Sequence, residues 1–165
     1  MMTDTSDMSA AEAGAEAGTP YREKSAWVAV AGMVVGYGGY FAVIATLPPQ
    51  IIGGDPPGMV LKLFALLTVA TIVRLLIMGA GTLAIRASSP ADARAPADER
   101  DRAIAGRSAA IAYYVMMTGM VLVGMVMPFT ARGWAITNAA LFAIVVAELA
   151  RYGTIIAAYR RGWHG

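Results

Sequence analysis

Polar and apolar positions in this chain do not alternate; they separate into blocks. Four apolar blocks run at about 27–47, 59–85, 109–127 and 134–159, with short polar links between them. Each is long enough to cross a bilayer core of ~30 Å, which takes about 20 helical residues. Lipid offers no partner for backbone N–H and C=O groups, so each block predicts a helix. The pattern therefore predicts an all-α polytopic membrane protein, with four transmembrane helices in two hairpins.

Composition agrees. The chain has 165 residues, 58% of them hydrophobic and 15% charged. A soluble domain carries about 25% charged residues, and the shortfall is explained if lipid replaces water around most of the surface. The length allows one bundle, 25–165, behind a disordered N-terminal tail, 1–24. That tail carries Asp4, Asp7, Glu12 and Glu16 and repeats Ala-Glu-Ala-Gly, which is unlike a cleavable signal segment.

Charge sets the expected sidedness. Nine Lys and Arg residues fall before the first block, in the link 86–108 or after the last block, against one, Arg132, in the opposite links. The positive-inside rule then places the N-terminus, the C-terminus and the loop 86–108 in the cytoplasm. A multi-pass place in the cell's inner (plasma) membrane is expected. Trp27, Tyr113, Tyr114, Phe129, Trp134, Tyr159 and Trp163 stand at or near the predicted interfaces, where amphipathic rings are favoured. Pro128 is expected to close the third helix, and Lys62 to snorkel outward.

Besides Lys62 near the start of its block, three charges fall inside the blocks. Arg74 stands twelve residues before Arg86, and Glu148 twelve before Arg160, so their side chains belong at similar depth. An isolated charge there costs at least ~2.5–3.5 kcal/mol. The reading is a buried interhelical ion pair between Arg74 and Glu148. Arg151, one turn from Glu148, is the competing partner, and a three-membered cluster is the other alternative.

The remaining chemistry is thin. Gly32 and Gly36 give a small-xxx-small spacing suited to close helix packing, inside the bundle or across a homodimer. Met116 and Met120 share a face, but flexible apolar packing explains them better than Cu(I) ligation. The chain has no cysteine, and His164 is its single histidine. This excludes disulfides, thiolate chemistry, bis-histidine haem and a histidine-based metal site or dyad within the membrane. No cofactor, metal or enzymatic activity is expected. A net charge of +2 gives no reason to expect nucleic acid.

The loop 86–108 is the other informative region. Pro96 suits a first helical position, with Asp98 and Glu99 in the first turn and Asp98 four residues before Arg102 for an ion pair. One continuous helix is expected to start in this loop and become the third span. Its residues Asp98, Glu99, Arg100, Asp101 and Arg102 present either a solvated charged face or a docking surface for a partner.

The run Asp98-Glu99-Arg100-Asp101-Arg102-Ala103-Ile104, then Ile111-Ala112-Tyr113-Tyr114-Val115, together with the ending Ala158-Tyr159-Arg160-Arg161-Gly162, resembles a family of small, uncharacterised bacterial four-helix integral membrane proteins. That family shares a D-E-R-D-like motif before the third helix and a Y-R-R-like end. It has no assigned activity, and some members are encoded beside helix-turn-helix regulators. The resemblance implies a membrane component paired with a cytosolic regulator, with contacts at Asp98 to Arg102. The acidic tail departs from the family's compact start. The expected function is a non-enzymatic membrane protein that supports or regulates a partner, itself a homo-oligomer or bound to a membrane or cytosolic protein. The alternative is a small oligomeric transporter or channel using Arg74, Glu148 and Arg151.

Overall fold

The computed structural model describes residues 21–48, 58–88, 90, 94, 96–131 and 133–161. The regular elements among them are helices: α1 (Tyr21–Thr46), α2 (Met59–Ser88), α3 (Glu99–Thr130) and α4 (Trp134–Arg160). All four are long and apolar enough to cross a membrane. The tail up to Pro20, the link 49–57, Arg132, Trp163 and His164 lie outside the described residues.

Consecutive helices run antiparallel. Gly81 of α2 faces Val28 of α1, and Ala70 faces Gly36. Tyr159 of α4 bonds Asp101 of α3, and Ala143 faces Gly119. α4 also runs against α1, joined through Glu23–Arg160 near one end and Tyr40–Asn138 near the other. The starts of α1 and α3 and the ends of α2 and α4 therefore share one end of the molecule, here the charged end. The other is the aromatic end.

The main contacts run in the order α2, α1, α4, α3. α1 is the inner helix: 33% of its most apolar stretch is buried, against 6% for α3. Its glycines explain how it takes that place. A Cβ on Gly36 would stand 2.7 Å from the Ala70 carbonyl oxygen, and one on Gly32 would stand 3.3 Å from that of Arg74. Gly32 and Gly36 thus let α1 lie directly on the α2 backbone, where dispersion contacts hold helices together without help from water. Of the two uses foreseen for this pair, the fold employs the intramolecular one. The core beside it joins Tyr40, Ile44, Leu63 and Ala70, with Phe41, Trp134 and Leu141 packed around them.

Outward faces are apolar as well. Leu61, Leu76, Met125 and Phe129 are exposed by 66–89%. Met116 and Met120 also lie on the α3 surface rather than in a core. In water, so large an apolar surface would drive association; hydrocarbon accepts it.

Helix boundaries differ from expectation at the start of α1 and the end of α3, among others. α1 begins at Tyr21 rather than beyond Lys24. Glu23 sits in its first turn, where a carboxylate complements the helix dipole, and Ser25 Oγ donates to the Arg22 carbonyl at 2.9 Å. α3 continues two residues past Pro128. Proline removes one N–H and crowds the carbonyl four residues back, here that of Gly124. A π-turn over Leu122–Val126 widens the helix at that point, and Met127 N–H reaches back five residues to the Leu122 carbonyl. After α3, Gly133 takes φ 57°, a left-handed conformation that glycine adopts without strain.

Candidate functional site

The charged end is built outward from Asp98 and Asp101. Asp98 is the N-cap of α3, and its Oδ1 accepts the Asp101 backbone N–H at 2.6 Å. Asp101 Oδ2 accepts the Asp98 backbone N–H at 3.3 Å, closing a reciprocal capping box. The helix thus starts at Glu99, not at Pro96, because the two aspartates satisfy its first free donors. Asp98 does not pair with Arg102. Its carboxylate is held at the cap, and Arg102 projects from the exposed side of the turn.

Asp101 does more than cap. Arg22 Nε of α1 stands 2.8 Å from its Oδ2, and the Tyr159 hydroxyl of α4 donates to its Oδ1. One carboxylate, with its side chain 16% exposed, therefore ties three helices together. Charged hydrogen bonds of this kind are the stronger ones. The Arg100 guanidinium covers the Tyr159 ring at 5.8 Å. A hollow of about 150 Å³ beside them is walled by Ser25, Ala26, Ile104, Tyr152 and Ile155.

A second tie lies alongside. Buried Glu23 meets Arg160 Nε at 3.3 Å, and the Arg160 guanidinium lies over Trp27 at 5.1 Å. Arg86 Nε donates to Tyr21 Oη at 3.3 Å, fastening α2 to the same end. Of the five residues read as a docking face, Asp98, Glu99 and Arg102 are exposed, while Arg100 and Asp101 turn partly inward.

The apolar segments hold their charges differently from the expected arrangement. Glu148 lies 4.0 Å from Arg151 on the same helix. Arg74 does not join them. Its guanidinium stands 5.6 Å from the centre of the Tyr37 ring, and its buried Nε has no hydrogen-bond partner. Among the described residues no carboxylate pairs with Arg74. The physical reason is lateral: α2 packs chiefly on α1, so equal depth does not bring Arg74 to Glu148.

Sequence reasoning missed the polar knot at the aromatic end. The buried Tyr40 hydroxyl donates to Asn138 Oδ1 at 2.5 Å and accepts from Trp134 Nε1 at 3.1 Å. The available signal was Asn138 itself, an amide inside an apolar block, since such groups seek partners on neighbouring helices. Gly119, which lets α3 approach Ala143 of α4, was missed as well.

Among the described residues no group of three or more His, Cys, Asp or Glu side chains could hold a metal ion. Comparison with protein-family models, with curated proteins and with solved structures gives no match.

Proposed function

We propose that the chain is a non-enzymatic, multi-pass membrane protein that presents an ordered helix end to a partner. One observation carries this reading: α3 begins at Glu99, ten residues before the apolar block at 109, and that extension is capped by Asp98 and fastened to α1 and α4 through Asp101. A helix end that only linked two spans would need no such fastening. Here the backbone is held, while Glu99 and Arg102 are exposed toward another surface, beside the exposed edge of the capping Asp98.

The distribution of Lys and Arg supports placing this end in the cytoplasm, with both termini on the same side. The likeness to small bacterial four-helix membrane proteins points to an inner membrane and a cytosolic regulator as partner. The docking face is Asp98, Glu99 and Arg102; Arg100 and Asp101 serve to hold it.

A photo-crosslinker placed at the exposed residue 103 in the full chain tests the proposal in cells. It should trap one cytosolic protein, and Glu99→Arg with Arg102→Glu should abolish the adduct while helix content is unchanged. Absence of an adduct from the unsubstituted chain, or one indifferent to charge reversal, would defeat the reading.

The unpartnered Arg74 Nε supports a second reading, a small oligomeric transporter or channel in which an anion or a neighbouring copy completes the site. Reconstituted liposomes separate the two. The docking reading predicts no ion or proton flux. Flux that falls with Glu148→Gln or Arg74→Gln supports transport.

A further inference from the structure

A cleft between α3 and α4 at the charged end is shaped for an amphiphile. It holds about 260 Å³ and is lined by Ile104, Arg107, Ile111, Thr154, Ala157, Ala158 and Arg161. Its polarity runs along the helix axes. Arg107 and Arg161 stand where α3 and α4 leave their apolar blocks; Ile111, Thr154 and Ala157 lie further in. The Thr154 hydroxyl already donates to the Ala150 carbonyl at 2.7 Å, so the deeper part offers mainly methyl groups. Arg161 is anchored, because its backbone N–H caps the Ala157 carbonyl at 3.0 Å. The hollow on the other flank of α4, about 420 Å³, shares Arg161.

We infer that this cleft binds the phosphate of an anionic phospholipid between Arg107 and Arg161, with the start of an acyl chain on Ile111, Ala157 and Ala158. The inference rests on the membrane reading with this end at the cytoplasmic surface. Guanidinium groups suit phosphate because their donors fork toward paired oxygens. Basic hollows between helices on the cytoplasmic side attract anionic headgroups. The volume lies just under the ~300–1,000 Å³ of pockets for whole drug-sized ligands, which fits a headgroup and a few methylenes rather than an entire lipid.

Native mass spectrometry of the full chain, released from a neutral detergent, tests the site with added phosphatidylglycerol, phosphatidylcholine or glycerol 3-phosphate. Phosphatidylglycerol should remain bound, whereas phosphatidylcholine and glycerol 3-phosphate should not. Arg107→Gln with Arg161→Gln should weaken binding roughly 30-fold, at about one surface-lipid contact per arginine. Arg94→Gln with Arg102→Gln removes the same charge away from the cleft and should change binding less than twofold. Ala158→Leu fills the floor without altering charge and should also weaken binding. Equal retention of phosphatidylcholine, equal loss in the Arg94/Arg102 control, or equally tight binding of glycerol 3-phosphate would each overturn the inference. Failure of the membrane reading looks different: the chain would then stay in solution without detergent.

Discussion

At the aromatic end, α1 meets α4 through three neutral side chains, Tyr40, Asn138 and Trp134. At the charged end the same two helices, with α3 added, meet through Asp101, Arg22, Tyr159, Glu23 and Arg160. The difference follows burial: Tyr40 and Asn138 are buried, whereas the basic partners at the charged end reach outward. Neutral hydrogen bonds can be buried at modest cost where partners are found, as they are here for the Tyr40 hydroxyl and Asn138 Oδ1, though not for the buried Asn138 Nδ2. Ion pairs need water or headgroups nearby: Arg22 is 42% exposed and Arg160 64%. The neutral knot therefore fixes helix position permanently. The ionic tie is open to change from outside, by salt, by headgroup phosphates or by a partner's charges. That openness is why we propose recognition at the charged end.

The largest expected effect comes from breaking the ionic tie at its centre. Asp101→Ala removes the Arg22 pair, the Tyr159 bond and half of the capping box, and should cost about 3 kcal/mol of stability in detergent. The readout is the midpoint of unfolding, with faster amide exchange confined to residues 99–108. Next comes Tyr40→Phe. It leaves Trp134 and Asn138 without their shared partner and should cost about 2 kcal/mol, with no dependence on salt. Glu23→Gln should cost about 1 kcal/mol, because Arg160 is largely exposed and solvent screens the pair. The smallest effect sharpens the contrast most. Raising NaCl from 0.05 to 0.5 M should lower the stability of the unsubstituted chain by less than ~1 kcal/mol, and Asp101→Asn should remove most of that dependence. A salt response that persists in Asp101→Asn but disappears in Tyr40→Phe would reverse the assignment of the two ends.

The sequence reading was strongest where one dimension sufficed. Block length and hydropathy marked four spans, and the acidic start of α3 marked a helix running into the third. Counting along the chain set Arg74 and Glu148 each twelve residues before Arg86 and Arg160. Rotation about the helix axis was not legible. Helices that are apolar all round carry no stripe to show which neighbour each side meets. Equal depth therefore suggested a pair between helices that do not pack closely. The same limit hid the second and third roles of Asp101, which needed Arg22 and Tyr159 to converge from α1 and α4. Pro128 misled for another reason: the rule that proline ends a helix omits the π-turn that makes room for it.

The central claim is that hydrocarbon covers the outer faces of α2 and α3 while the start of α3 stands in water. The chain has no native cysteine, so a single nitroxide can be attached at Leu76→Cys, midway along α2, or at Arg102→Cys, in the first turns of α3. Spin-relaxation measurements in liposomes compare collisions with oxygen, which concentrates in lipid, and with a water-soluble nickel chelate. The label at 76 should respond to oxygen and ignore nickel, and the label at 102 should do the reverse. A label at 76 that collides freely with nickel would contradict the account.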